Sequence, residues 1–313
     1  MGKISYNKFM GILAESKTYL KYFLSYLEVE RNFSSHTIRA YGADITAFLI
    51  WLDGKHLEDI KYSNVKEYLL FIYKFNYSKT TLARKISAIR TFYKYLYREK
   101  ITDSNPVVGI NSPKRQKKLP EVLSEQEIEQ ILNQVDISTP AGFRNRTILE
   151  LLYATGMRIS ELCSLTYQNL NLDNDEITVF GKGQKERIVL VSKRAKNFLE
   201  DYLKTARNLI AKGYEVSQNQ DSPLFINNTG FKLQPQTVRM VLKKIMNNLE
   251  LPKHVTPHKF RHSFATKMLD NGADLRIVQE LLGHASITNT QIYTHVTSQK
   301  LQQTYELSHP RAK

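Results

Sequence analysis

Apolar residues recur at helical spacing along most of this chain, and only once does the period fall to two. Leu20, Phe23, Leu24 and Leu27 begin the series; Ile45, Phe48, Leu49 and Leu52 follow, then Val65, Tyr68, Leu69 and Ile72, then Leu82, Ile86, Ile89, Tyr93 and Leu96. Each set lines one face of a helix, so four helices are predicted. Ser34 or Ser35 and Ser78 stand where N-caps belong, and residues 76–78 separate the third helix from the fourth. Farther along, Ser124-Glu125-Gln126-Glu127 reads as a capping box opening a helix through Leu132. Another helical run extends from Phe143 to about Tyr153, and a turn at Thr155-Gly156 leads into a third.

The exception is a short β-hairpin. Ile177 and Val179 on one side, Ile188 and Leu190 on the other, flank Gly181-Lys182-Gly183-Gln184-Lys185. Helices then resume, including 236–249, 259–271 and 275–282, with a polar surface loop at 212–222. The expected fold is mainly α with a small β-hairpin or sheet in the second part of the chain.

Residues 105–120 interrupt the pattern. Pro106, Pro113 and Pro120 bracket Lys114-Arg115-Gln116-Lys117-Lys118, and few large apolar side chains are available to bury. This is the sequence of an interdomain linker, although a basic run can also serve as an import patch. A chain of 313 residues exceeds what one hydrophobic core usually organises. The expected division is a helical domain over 15–104, a linker over 105–120 and a second domain over 121–313.

Charge follows that division. The net charge is +15, and the first 118 residues hold 21 Lys and Arg against 10 Asp and Glu. A solvated surface explains a modest excess, but so concentrated a one favours a polyanion, nucleic acid above all. The fourth helix interleaves Lys79, Arg84, Lys85, Arg90 and Lys94 with its apolar stripe, so one side can meet a core while another meets phosphates. Arg39 on the second helix and Lys114, Arg115, Lys117 and Lys118 in the linker join this candidate DNA-binding set. Phe92, Tyr93, Tyr95 and Tyr97 fall on or beside the apolar stripe and read as packing. A single cysteine, Cys163, excludes an intrachain disulfide or a Cys-based zinc site and fits a reducing cytosol. No apolar run approaches a membrane span, and neither a signal peptide nor a myristoylation signal opens the sequence. A cytoplasmic, nucleoid-associated protein without a membrane partner is expected.

Several polar residues of the second domain resist a structural explanation. Arg158 lies in the apolar stretch 151–165 with Glu161 one turn on, a pair able to hold a guanidinium fork in one orientation. His258-Lys259-Phe260-Arg261-His262 packs two histidines and an arginine into five residues. His258 and His262 have the spacing of a helical metal site. Yet Lys259 stands where a zinc protease needs its glutamate, and no carboxylate or thiolate nearby completes a ligand set. His284 follows a glycine at the end of a helix, and Tyr293 comes nine residues later. Two arginines, two histidines, a turn lysine and a tyrosine are what phosphoryl transfer without a metal requires. Guanidiniums neutralise charge on the nonbridging oxygens, a tyrosine in an electropositive site attacks, and a lysine protonates the leaving 5′ oxygen. Gly181-Lys182-Gly183 lacks the frame of a P-loop, so no nucleotide is implied.

These residues resemble the tyrosine recombinases and, among them, the Xer group. The likeness runs through Ala154-Thr155-Gly156-Met157-Arg158-Ile159-Ser160-Glu161-Leu162, Gly181-Lys182-Gly183 with Lys185-Glu186-Arg187, and Thr256-Pro257-His258-Lys259-Phe260-Arg261-His262. It continues in Asn271-Gly272-Ala273-Asp274, Leu281-Leu282-Gly283-His284 and Thr290-Gln291-Ile292-Tyr293-Thr294-His295. Ser35-His36-Thr37, Tyr41, Asp44, Phe48, the segment 84–96 and His309-Pro310-Arg311-Ala312 are similar too.

The resemblance implies a two-domain C-shaped clamp on duplex DNA, with a core-binding domain first and the catalytic domain second. It assigns Tyr293 as nucleophile forming a 3′-phosphotyrosyl link, Arg158 and Arg261 as the phosphate clamp, and Lys182 as general acid. His258 would assist proton transfer and His284 would bind the phosphate; neither metal nor nucleotide cofactor is needed. A homo- or heterotetramer would assemble on two dif-like sites, the segment from about Ser298 docking on a neighbour, with an FtsK-like DNA translocase as activator. The implied role is chromosome dimer resolution. An integrase or transposase of a mobile element shares the chemistry, although helices beginning by about residue 15 leave no room for an arm-binding domain. A DNA-binding protein without catalysis and a metallohydrolase are the readings from other classes.

Overall fold

The computed structural model describes residues 2–111, 113, 122–181, 186–214, 219–249, 255–283 and 298–312, apart from the side chains of 2–14 and 298–300. The chain divides into two compact units, 1–118 and 119–313.

The described residues of the first unit form the α-helices α1 (Gly2–Val29), α2 (Ser35–Trp51), α3 (Tyr62–Tyr73) and α4 (Lys79–Arg98), with a short 3-10 turn at Leu57–Asp59. Ser34 and Ser78 cap α2 and α4 by accepting the backbone N–H groups of Thr37 and Thr81, satisfying donors that a helix start leaves unpaired. The expected apolar stripes meet in one core: Phe23, Phe48, Tyr68, Phe92, Tyr93 and Leu96 are almost wholly buried. Phe23 and Phe92 meet edge to face with ring centroids 5.1 Å apart. Tyr97 faces solvent.

The second unit begins with α5 (Glu125–Asn133), where Ser124 and Glu127 form the reciprocal capping box. Pro140 sits at the start of α6 (Pro140–Thr155), a position where its missing N–H costs nothing. Next come α7 (Ile159–Ser164) and an antiparallel sheet in the order β1 (Leu170–Asn171), β2 (Glu176–Phe180), β3 (Glu186–Leu190). After them lie α8 (Lys193–Asp201), a π-helical turn (Tyr202–Ala206), α9 (Arg207–Ala211), α10 (Pro235–Asn248), α11 (Pro257–Asp270), α12 (Leu275–Leu282) and α13 (Ser298–Ser308). The main core gathers around Leu149, Leu152, Phe225 and Phe260, and a smaller one joins α11, α12 and α13 through Phe264, Leu281 and Tyr305. No helix among the described residues is long and apolar enough to cross a membrane.

The hairpin departs from the expected pattern in one informative way. Ile177 pairs with Val189 and Val179 with Arg187. Residues directly opposite each other share a face, so β3 presents Val189 and Arg187 alongside Ile177 and Val179 while Ile188 points outward. Leu190 is buried on the other face, in the smaller core with Phe264 and Leu281. Ile188 is therefore not the inward residue that its hydrophobicity indicated, and Arg187 is.

The end of the chain is seated on its own unit. Tyr305 donates to the Ala154 carbonyl, and Asn271 donates to the Ser308 carbonyl at 2.6 Å. Arg311 reaches Glu150 at 2.7 Å and also pairs with Glu129. The resemblance implies a segment that docks on a neighbour; in the single chain, residues 305–311 are held in place by the second unit's own helices.

Candidate active site

Two helices end here on left-handed glycines, and the turns they make build the site. Gly156 closes α6 at φ +61°, where a Cβ would strike the Phe264 ring of α11. The chain then reverses so that Arg158 becomes the N-cap of α7. Its backbone N–H donates to one oxygen of Glu161 and its Nη1 donates to the other, both at 2.7 Å. One carboxylate thus fixes both ends of Arg158, whose side chain remains 42% exposed while that of Glu161 is 4% exposed. Gly283 ends α12 in the same conformation, at φ +65°.

Arg261 spans the two helix ends. Buried on α11, it donates through Nη1 to the Gly156 carbonyl at 2.7 Å and through Nη2 to the Leu282 carbonyl. The last carbonyls of a helix have no partner within it and carry its negative pole, so a guanidinium is suited to them. Burial, with Arg158 close by, lowers the Arg261 pKa to about 10, which leaves it charged at neutral pH. Arg187 completes the group. Its Nη1 and Nη2 donate to the two Glu161 oxygens at 3.0 and 2.7 Å, and its Nε donates to the Leu281 carbonyl at 2.9 Å. Burial would raise the Glu161 carboxyl, but the Arg187 and Arg158 hydrogen bonds outweigh it and hold the group below the usual carboxylate range.

The structure brings Arg158 and Arg261 together at the turn that closes α6. His258 is exposed at the start of α11, one turn before Arg261, and His262 is partly buried. Among the described residues no three His, Cys, Asp or Glu side chains converge as a metal cage would need. Lys182, His284 and Tyr293 lie outside the described residues, as do Lys114, Arg115, Lys117 and Lys118. Arg187 was visible in the sequence as part of Lys185-Glu186-Arg187, but nothing in the motif indicated that it turns inward.

The basic stripe of α4 proves to be two different things. Lys79 and Lys94 are exposed, as is Arg39 on α2. Lys85, in contrast, is buried and bonded to the buried Asp44 at 3.1 Å, and Arg84 pairs with the same carboxylate and with the Ala40 carbonyl. Arg90 is half-buried and donates to the Ile110 carbonyl at 2.5 Å. Lys85 is thereby corrected from a phosphate-facing residue to an internal ion pair, because a buried carboxylate requires a partner; Arg84 and Arg90 also have partners within the unit.

Residues 121–300 match the phage integrase family, and residues 20–100 match the phage integrase N-terminal SAM-like domain. The chain belongs to the phage integrase family. A tyrosine recombinase XerC of Bacillus licheniformis is 40% identical over 304 residues, spanning 96% of this chain and 99% of its own. A tyrosine recombinase XerD of Oceanobacillus iheyensis is 40% identical over 294 residues, spanning 93% and 97%. Among solved structures, the XerH site-specific recombinase bound to difH substrate, a pre-cleavage complex, shares 27% identity and a TM-score of 0.64, covering 88% of this chain and 80% of that one. Within this integrase-family chain, the arginine group lies in the residues that match the family, and the two matched regions fall one to each compact unit.

Proposed function

We propose that the chain is a site-specific DNA recombinase that cuts and rejoins duplex DNA through a 3′-phosphotyrosyl intermediate at Tyr293. The observation that carries this reading is the arginine group: Arg158 fixed by Glu161, and Arg261 fixed by the Gly156 and Leu282 carbonyls. Such held guanidiniums stabilise charge as it develops on a phosphate without reorganising during the reaction. In the proposed step the Tyr293 oxygen bonds to phosphorus and the bond to the 5′ oxygen breaks. His258 accepts the phenol proton, Lys182 donates one to the leaving oxygen, and His284 hydrogen-bonds the phosphate. A 5′-hydroxyl from a second strand then attacks the phosphotyrosine and releases the tyrosine. Because one phosphodiester replaces another through the enzyme ester, no ATP is consumed.

The first unit serves as the core-binding domain over 15–104, joined by the basic linker 105–120 to the catalytic domain over 121–313. Lys79, Lys94 and Arg39 offer exposed positive charge for phosphates. Four protomers, of this chain alone or with a paralogue, assemble on two dif-like sites to resolve chromosome dimers, with a DNA translocase as activator at the nucleoid. Equal identity to relatives named XerC and XerD supports the Xer role without choosing between the two.

The test is a nicked suicide duplex incubated with the protein in EDTA. Wild type forms a covalent protein–DNA band and Tyr293→Phe forms none; no band from wild type, or equal bands from both, rejects the mechanism.

A further inference from the structure

Arg187 belongs to the arginine group yet has no part in the scheme above. Its side chain is 10% exposed, too enclosed to bind a phosphate itself. It holds Glu161 end-on through two hydrogen bonds from Nη1 and Nη2, and the Leu281 carbonyl through a third from Nε. Three donors of one planar fork, two on a carboxylate and one on a carbonyl, form a geometry that lysine cannot reproduce. The seat is shaped for it as well, since a Cβ at Gly283 would lie 2.9 Å from the Arg187 Cδ.

The electrostatics give this arrangement a purpose. A guanidinium paired only with a carboxylate is nearly neutral as seen from a few ångströms away, so Glu161 alone would cancel the charge that Arg158 presents. With Arg187 on the same carboxylate, the negative charge is already balanced by an enclosed cation. Arg158 then retains its full charge while still being oriented by Glu161.

We propose that Arg187 is a positioning residue for strand cleavage, balancing Glu161 so that the charge of Arg158 remains available to the scissile phosphate. Through Leu281 it also ties β3 to the end of α12, the helix that precedes His284 in the chain. This inference rests on the recombinase reading.

The experiment measures covalent-complex formation on the suicide duplex at saturating DNA, with DNA affinity and thermal unfolding measured in parallel on the full chain. Arg187→Met is expected to slow cleavage about 30-fold, with affinity changed less than about threefold. Arg187→Lys, which restores the charge but not the fork, is expected to recover about a third of that loss on a logarithmic scale. Removing the carboxylate from the methionine variant, as Arg187→Met with Glu161→Gln, is expected to restore about tenfold of the rate. Cleavage by Arg187→Met within threefold of wild type would overturn the proposal, as would a rate loss matched by lost affinity or lost folded protein in both single variants. A double variant no faster than Arg187→Met would overturn it too. If wild type itself forms no covalent complex, the recombinase reading fails; if only the variants behave otherwise than described, the role of Arg187 fails alone.

Discussion

Tyr305 donates its hydroxyl to the carbonyl of Ala154 at 3.0 Å, joining the last helix of the chain to the last turn of α6, four residues ahead of Arg158. The neighbouring Tyr153 carbonyl faces His309 Nε2 at 3.4 Å, and the Gly156 carbonyl accepts from Arg261. Three carbonyls at the end of α6 are thus served by side chains at least 105 residues away.

Tyr305→Phe removes one of these donors without opening a cavity. It is expected to cost about 1–2 kcal/mol by leaving a buried carbonyl unpaired. A urea titration reads this as a lower midpoint at an unchanged slope; an unshifted midpoint would mean that the carbonyl finds another donor.

His309 makes the same seat sensitive to pH. Its Nδ1 accepts the Arg311 backbone N–H, so Nε2 carries the proton and the ring is neutral. Burial lowers its pKa from 6.5 to about 4. The folded state therefore resists protonation that the unfolded chain accepts, so this contribution is complete above about pH 6.5 and falls away as the pH drops toward 4, at roughly 1.4 kcal/mol per unit. Comparing unfolding midpoints of wild type and His309→Gln between pH 7 and pH 5 isolates it from the carboxylates, and parallel curves would contradict it.

Asp44 and Lys94 are expected to separate stability from DNA binding. Asp44→Ala leaves the buried Lys85 without its carboxylate and should destabilise the first unit by about 3 kcal/mol. Lys94→Ala should leave the unfolding midpoint unchanged and reduce the salt dependence of DNA affinity by about one phosphate's worth. Equal salt slopes would remove Lys94 from the DNA-facing set.

Gly156→Ala combines a positive φ with a clash against Phe264. Its expected effect is at least about 2 kcal/mol of stability together with slower cleavage, because the turn that presents Arg158 must shift. Full cleavage activity in a destabilised variant would show that Arg158 keeps its place without that turn.

The helices were legible because their signals are local: Ser34, Ser78 and the Ser124–Glu127 box each cap the helix that follows them in sequence. Arg158 with Glu161 was legible for the same reason, being one turn apart. Arg187 was not, since its inward direction is set by pairing with Val179 across the hairpin, and Ile188 beside it is the better apolar candidate. Lys85 misled because a charge on a helix with an apolar stripe looks solvated until the facing Asp44 is known. The two-residue strand β1 was too short to carry a period.

Arg261 takes its bearings from the carbonyls of Gly156 and Leu282, which are main-chain atoms. A point substitution can delete a carboxylate but not a peptide oxygen. The alignment of this guanidinium is therefore inherited from where α6 and α12 end, and mutational drift reaches it only by moving a helix terminus. Leu282 is then free to vary in side chain as long as the packing holds, whereas the two glycines that set the termini are not. A scan of all substitutions in this region would record the constraint at Gly156 and Gly283, residues that contribute no side chain to the chemistry.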